Sequence, residues 1–162
     1  NYKGLFGNKI VKVSALEEYG LRCMLQLARK NGGPMTLPEI SKAEGVSLSY
    51  AGKLLMILKK AGLVKAVRGR QGGYALVKPA EEYDLKEIFD ALGEPLYNPK
   101  HCRKFTGDLV KCAHSKDCTV RDIWKEFSKI IDGVLGNMTL ADVASGSYDF
   151  GNMTSNIQVG IK

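Results

Sequence analysis

Histidine and tryptophan are nearly missing from this chain of 162 residues, which has two of the first and one of the second. It also lacks a nucleophile elbow and a phosphate-cradling glycine loop, so no catalytic set is visible and an enzyme is not expected. Long apolar runs are missing too. No stretch reaches the roughly 18 residues that a membrane helix needs, and Asn1 to Ile10 lacks the apolar core and small-residue cleavage pattern of a secretory signal. These absences predict a cytoplasmic protein with no membrane partner and no small-molecule substrate. Cysteines number only four, and a chain of this length buries roughly two thirds of its unfolded surface without disulfide staples. In a reducing compartment such cysteines read as ligands, sensors or core fillers. Acidic residues are scarce in one half only. Residues 1–80 carry 14 basic and 4 acidic side chains, a balance of +10, whereas residues 81–162 carry 10 and 13, a balance of −3. A basic half of this size points to a polyanion, nucleic acid ahead of an acidic membrane surface.

What is present, with 44% hydrophobic and 25% charged residues, excludes a collagen-like or wholly disordered chain and predicts one compact domain or a small domain with an appendage. Residues 1–12 read as a flexible arm or an appended remnant. Ser14 with Glu17 forms a capping-box pattern that opens a helix to about Lys30, with Leu16, Gly20, Cys23, Leu27 and Ala28 as its buried stripe. Cys23 is expected to be a small core hydrophobe. Thr36 to Glu39 opens a second helix that stops before Gly45, and Ser47 opens a third that ends at Gly62. Two helices joined through a glycine-containing turn, after an earlier helix and inside the basic half, match a helix-turn-helix. Leu63–Val67 and Tyr74–Val77 then read as a hairpin with a basic, glycine-rich tip.

Asp84 with Glu87 caps a further helix that ends at Gly93. Residues 94–118 follow with neither a helical nor a strand period, and they hold three of the cysteines. Thr119 with Asp122 is expected to open a strongly apolar helix carrying Val120, Ile123, Trp124, Phe127, Ile130, Ile131, Val134 and Leu135. Its apolar face exceeds what a small winged domain needs, which predicts packing against a second copy in a homodimer. Thr139–Ala144 is expected to form one more short helix and residues 147–162 a polar tail. The predicted fold is therefore mainly α: a winged helix-turn-helix over 13–80, with a small β-hairpin wing, followed by a dimerisation and cysteine-loop region over 81–146 with a long C-terminal helix.

On the third helix, Leu48, Ala51, Leu55 and Leu58 form the expected buried side, leaving Ser47, Ser49, Tyr50 and Lys53 to meet DNA. Arg68, Gly69, Arg70 and Gln71 of the tip extend that footprint, the glycine allowing close approach and the arginines suiting phosphates or a narrow minor groove. Cys102, Cys112 and Cys118, separated by nine and five residues, form the second signal. Three thiolates on one loop can ligate a metal or an iron-sulfur cluster, and Lys100, Arg103, Lys104, Lys111 and Lys116 around them favour the thiolate form. With His101 or His114 they also make a Cys3His zinc set.

From Val13 to about Val143 the chain resembles the bacterial winged-helix iron-sulfur regulators of the IscR and NsrR type, the Rrf-two family. The resemblance rests on Glu18-Tyr19-Gly20-Leu21-Arg22, Gly45-Val46-Ser47-Leu48-Ser49-Tyr50, the run from Leu54 to Gly62-Leu63-Val64, and above all Val67-Arg68-Gly69 with Gly72-Gly73-Tyr74-Ala75-Leu76. Three cysteines before an apolar, Trp-containing helix complete it. It implies a homodimeric repressor or activator that binds a double-stranded DNA operator. An iron-sulfur cluster, 2Fe-2S ahead of 4Fe-4S, would sit between one subunit's cysteine loop and the other's first helix and set DNA affinity in response to iron-sulfur status, redox or nitric oxide. Where IscR-like members ligate through a histidine three residues after the last cysteine, this chain has Arg121, which cannot ligate. The position matching the acidic ligand of NsrR-like members is Glu18, with His101 and His114 as alternatives. Gly52 stands where IscR-like members carry an acidic recognition residue. Two rivals stay open: a zinc-binding or thiol/disulfide redox-sensing DNA-binding regulator, and a small redox or metal-transfer protein whose basic face docks an acidic partner.

Overall fold

The computed structural model describes residues 13–30, 33–70, 72–98, 100–149 and 151. The expected arm over 1–12 and most of the expected tail lie outside them. Helix α1 (Ala15–Arg29) starts on a complete Ser14/Glu17 capping box, and Thr36 with Glu39 repeats the device for α2 (Leu37–Glu44). Gly45 ends α2 in the left-handed region at φ 64°, so the chain reverses within two residues and Ser47 caps α3 (Leu48–Lys60). Strands β1 (Val64–Val67) and β2 (Gly73–Leu76) pair antiparallel, with Val64 opposite Leu76 and Val67 opposite Gly73. Met35 adds a single bridge to β2, exchanging two backbone hydrogen bonds of 2.9 and 2.7 Å with Tyr74. Gly73 permits this approach: at φ 153° its missing Cβ would fall on the Met35 carbonyl.

Short helix α4 (Leu85–Leu92) follows a 3-10 turn at Ala80–Glu82, and α5 (Thr119–Gly136) and α6 (Leu140–Ser145) come after it. One core joins both halves. Cys23, Met24, Leu27, Ile40, Leu54, Leu55 and Leu58 pack with Tyr83, Leu85, Ile88, Leu92, Met138 and Leu140. Tyr83 is completely buried, and its hydroxyl donates to the Leu63 carbonyl at 2.7 Å while accepting from the Val77 and Lys78 amides at 2.9 and 3.1 Å. The root of the wing is thus tied to the segment leading into α4. No helix among the described residues is long and apolar enough to cross a membrane.

Two expectations about core packing and capping need correction. Leu48 is 51% exposed, and Leu54 takes its place in the α3 core stripe. As first residue of the helix, Leu48 lies at the end of the stripe, and about half of it stays open to solvent. Cys118, and not Thr119, caps α5: its Sγ accepts the Arg121 amide at 3.3 Å. The sequence pattern points to Thr119 because hydroxyls are the usual caps.

Candidate nucleic-acid interface and cysteine loop

The N-terminus of α3 and the wing set the first candidate surface. Ser47 Oγ accepts the Tyr50 amide at 3.1 Å, so its lone pairs serve the helix while its proton remains free to donate outward. Ser49 and Lys53 are exposed beside it. Tyr50, expected to point outward, is instead half-buried with its ring edge-on to Tyr19 at 5.9 Å between centroids. That contact joins α3 to α1 and leaves only part of Tyr50 for a ligand. Exposed Leu48 is the residue that periodicity concealed. Between Ser47 and Ser49 it offers apolar surface of the type that meets a thymine methyl. At the wing, Arg68, Gly69 and Arg70 are exposed, and neither arginine forms an ion pair with another described residue. Gln71 lies outside the described residues.

The cysteine loop joins α4 to α5 and contains a single 3-10 turn, His101–Lys104. Among the described residues its backbone bonds are local: Arg103 to Lys100, Phe105 to Cys102, Leu109 to Thr106 and Ser115 to Cys112. Cys102, Cys112 and Cys118 are all half-buried. Cys102 and Cys112 line one open cavity of about 490 Å³, whereas Cys118 sits at the start of α5. Among the described residues no three His, Cys, Asp or Glu side chains converge on one point. As a donor set, three soft thiolates suit an iron-sulfur cluster or zinc.

The remaining candidates do not all gather at this loop. Arg121 donates from Nη1 to the Ser115 carbonyl at 3.1 Å, pinning the loop to α5, while its Nε is buried without a hydrogen-bond partner. His114 is exposed, and the side chain of His101 lies outside the described residues. Glu18, half-exposed on α1, accepts from Arg22 Nε at 2.7 Å, and no cysteine of its own chain joins it in a ligand group among the described residues. Cys23 is fully buried, and burial pushes its thiol up to about 12, which suits a core residue and not a ligand. Beyond the loop, α5 carries exposed Val120, Ile123 and Phe127 at 61, 47 and 46% along one stripe, while Ser128, Ile131 and Leu135 face α4.

A helix-turn-helix with a basic hairpin wing and a cysteine loop defines a winged-helix DNA-binding regulator. A family model described as Rrf2, iron-dependent transcriptional regulator, matches residues 13–146. The chain belongs to this family. It is 33% identical over 136 residues to the HTH-type transcriptional regulator IscR of Serratia proteamaculans, covering 83% of this chain and 80% of that one. Among solved structures it is similar to T. potens IscR, with a TM-score of 0.67 and 31% identity over 88% of this chain and 92% of that one. It is equally similar to CymR, the global cysteine regulator of B. subtilis, with a TM-score of 0.67 and 30% identity over 86% of this chain and the whole of that one. These relatives are transcriptional regulators and not enzymes.

Proposed function

We propose that this regulator works as a homodimer whose affinity for operator DNA is set by an iron-sulfur cluster on Cys102, Cys112 and Cys118. The observation that carries the reading is the placement of the third cysteine. Cys118 caps the helix whose apolar stripe is unpartnered in one subunit, so ligation there acts directly on the dimer element. When bound, the cluster supplies iron-thiolate bonds that oxidation, nitric oxide or iron loss can break. The chain's own residues do the rest. Cys102 and Cys112 bring two thiolates to one cavity, Arg121 holds the loop against α5, and the partner subunit's Glu18 offers the fourth ligand after exchanging its bond to Arg22. Ser47, Leu48, Ser49 and Lys53 face the major groove, and Arg68 and Arg70 reach the flanking phosphates.

The test is anaerobic purification with visible absorption, iron and sulfide analysis, and DNA binding before and after cluster removal. A coloured protein with bound iron and sulfide, whose DNA affinity shifts on removal, supports the reading; a colourless, zinc-containing protein refutes it. Glu18→Ala is expected to alter the cluster spectrum, and an unchanged spectrum moves the fourth ligand to His101, His114 or solvent. A second reading, thiol-based sensing without a cluster, is favoured by the pairing of Cys102 with Cys112 in one cavity apart from Cys118 and by the likeness to the CymR fold.

A further inference from the structure

The cavity at Cys102 and Cys112 is charged in one sense only. Arg103 and Lys111 are its charged lining residues, accompanied by the hydroxyls of Thr106 and Ser115, and no carboxylate lines it. Neither cation forms an ion pair among the described residues, whereas neighbouring Lys104 is held by Glu94 at 3.1 Å. At about 490 Å³ the cavity falls within the roughly 300–1,000 Å³ of small-molecule sites. Two half-buried thiols beside two unpaired cations form a place where a small anion bearing sulfur meets a nucleophile. The other two cysteines are excluded by their surroundings. Cys118 stands outside this cavity at the start of α5, and Cys23 is sealed in the core.

We infer that, in the cluster-free protein, this cavity takes a carboxylate-bearing low-molecular-weight disulfide and that Cys102 and Cys112 close into a disulfide by exchange with it. The inference rests on the reading of these thiols as the sensing site and adds a second input to it. The chemistry balances without another oxidant. The thiolate of one cysteine attacks the bound disulfide, forming a mixed disulfide and expelling one small thiolate. The second cysteine's thiolate then attacks the protein sulfur of that bond, forming the Cys102–Cys112 bridge and expelling the other small thiolate. The two protons lost by the cysteines pass to the two departing thiolates, so one disulfide is reduced as one is formed. Arg103 and Lys111 act by holding carboxylates of the incoming molecule.

The test uses the full chain, freed of metal anaerobically, with three disulfide probes: anionic glutathione disulfide, neutral hydroxyethyl disulfide and cationic cystamine. Each rate is referred to that of a free small thiol with the same probe, and products are mapped by intact mass and peptide analysis. At low salt, glutathione disulfide is expected to hold an advantage of at least about tenfold over the neutral probe, with cystamine slowest. High salt, or Arg103→Ala with Lys111→Ala, is expected to abolish that advantage. Wild-type protein is expected to end with Cys102 joined to Cys112 and Cys118 free to alkylate, and Cys112→Ser to stop at a mixed disulfide on Cys102. Equal referred rates, no bridge, or a bridge containing Cys118 overturns the inference. The parent protein's visible spectrum after anaerobic reconstitution reports separately on the cluster: no cluster spectrum with the exchange intact refutes only the cluster reading.

Discussion

Replacing Arg68 and Arg70 together by alanine tests the wing in the quantity it controls. Both side chains are exposed at the tip and neither is paired to a described acid, so their removal costs no internal contact the structure shows. If each meets one phosphate on each half of a symmetric site, the dimer loses four contacts. The slope of log affinity against log salt then flattens by about 3 to 4, since each phosphate contributes about 0.9. Between 50 and 200 mM salt, the advantage of the parent over the variant is expected to shrink by about a hundredfold, or about tenfold if one arginine per subunit makes contact. Fluorescence anisotropy with operator and random duplexes at four or five salt concentrations measures this directly. Parallel lines for parent and variant, with equal affinity at low salt, refute the placement of the wing on DNA.

Tyr83→Phe keeps the buried ring and removes one hydroxyl that serves the Leu63 carbonyl and the Val77 and Lys78 amides. With these groups left short of partners, a loss of about 2 to 3 kcal/mol is expected, lowering Tm by about 4 to 12 °C in thermal unfolding; an unchanged Tm contradicts the tie between wing root and α4. Aspartate at both Ile123 and Phe127 places charge on the exposed α5 stripe and is expected to yield a monomer by light scattering, a result that an intact dimer excludes. Glu39 lies below the usual carboxylate range because the Thr36 amide and then its hydroxyl donate to it, and Asp142 because the Thr139 hydroxyl and then its amide do. A depressed folded-state pKa gives stabilisation that is complete above the unfolded value near 4 and lost as pH falls through the folded value. The starts of α2 and α6 are therefore expected to lose amide protection below about pH 4 and to hold it between pH 5 and 8. Loosening near neutrality contradicts the assignment.

The parts of the fold legible in sequence are those whose signal and structure lie within a few residues. Ser14 with Glu17 and Thr36 with Glu39 each close their own capping box, and Gly45 ends α2 by its own left-handed backbone. What the sequence hides is contact between distant segments. Nothing near Met35 reveals that it will bridge Tyr74, and nothing near Tyr83 reveals that its hydroxyl will span 20 residues to Leu63. At the interface the same limit misplaces Leu48, whose apolar character fits the stripe although about half of it stays exposed. In the cysteine loop, spacing identifies the three thiols but not their division, because Cys118 is fixed by helix geometry and Cys102 with Cys112 by turns that carry no period.

That division bears on how an event at the loop reaches DNA. A ligand changes a protein only by as much as its affinity differs between two states, so the coupling must run through elements with two discrete arrangements. Here the chain of packed elements is short. Cys118 caps α5, α5 lies on α4, α4 on α1, and α1 meets α3 through Tyr19 and Tyr50. If a cluster forms, Cys118 would hold it at the first turn of α5, and iron-thiolate bonding there would act on the helix whose stripe is exposed in one subunit. Oxidation confined to Cys102 and Cys112 leaves that cap in place. Under these readings the two inputs act at different points: ligation at Cys118 on the start of α5, exchange at Cys102 and Cys112 on the loop alone. A Cys118→Ser variant separates them, since serine keeps the cap and removes the soft ligand. It is expected to lose any cluster-dependent change in DNA affinity while retaining the Cys102–Cys112 exchange; loss of both contradicts the division.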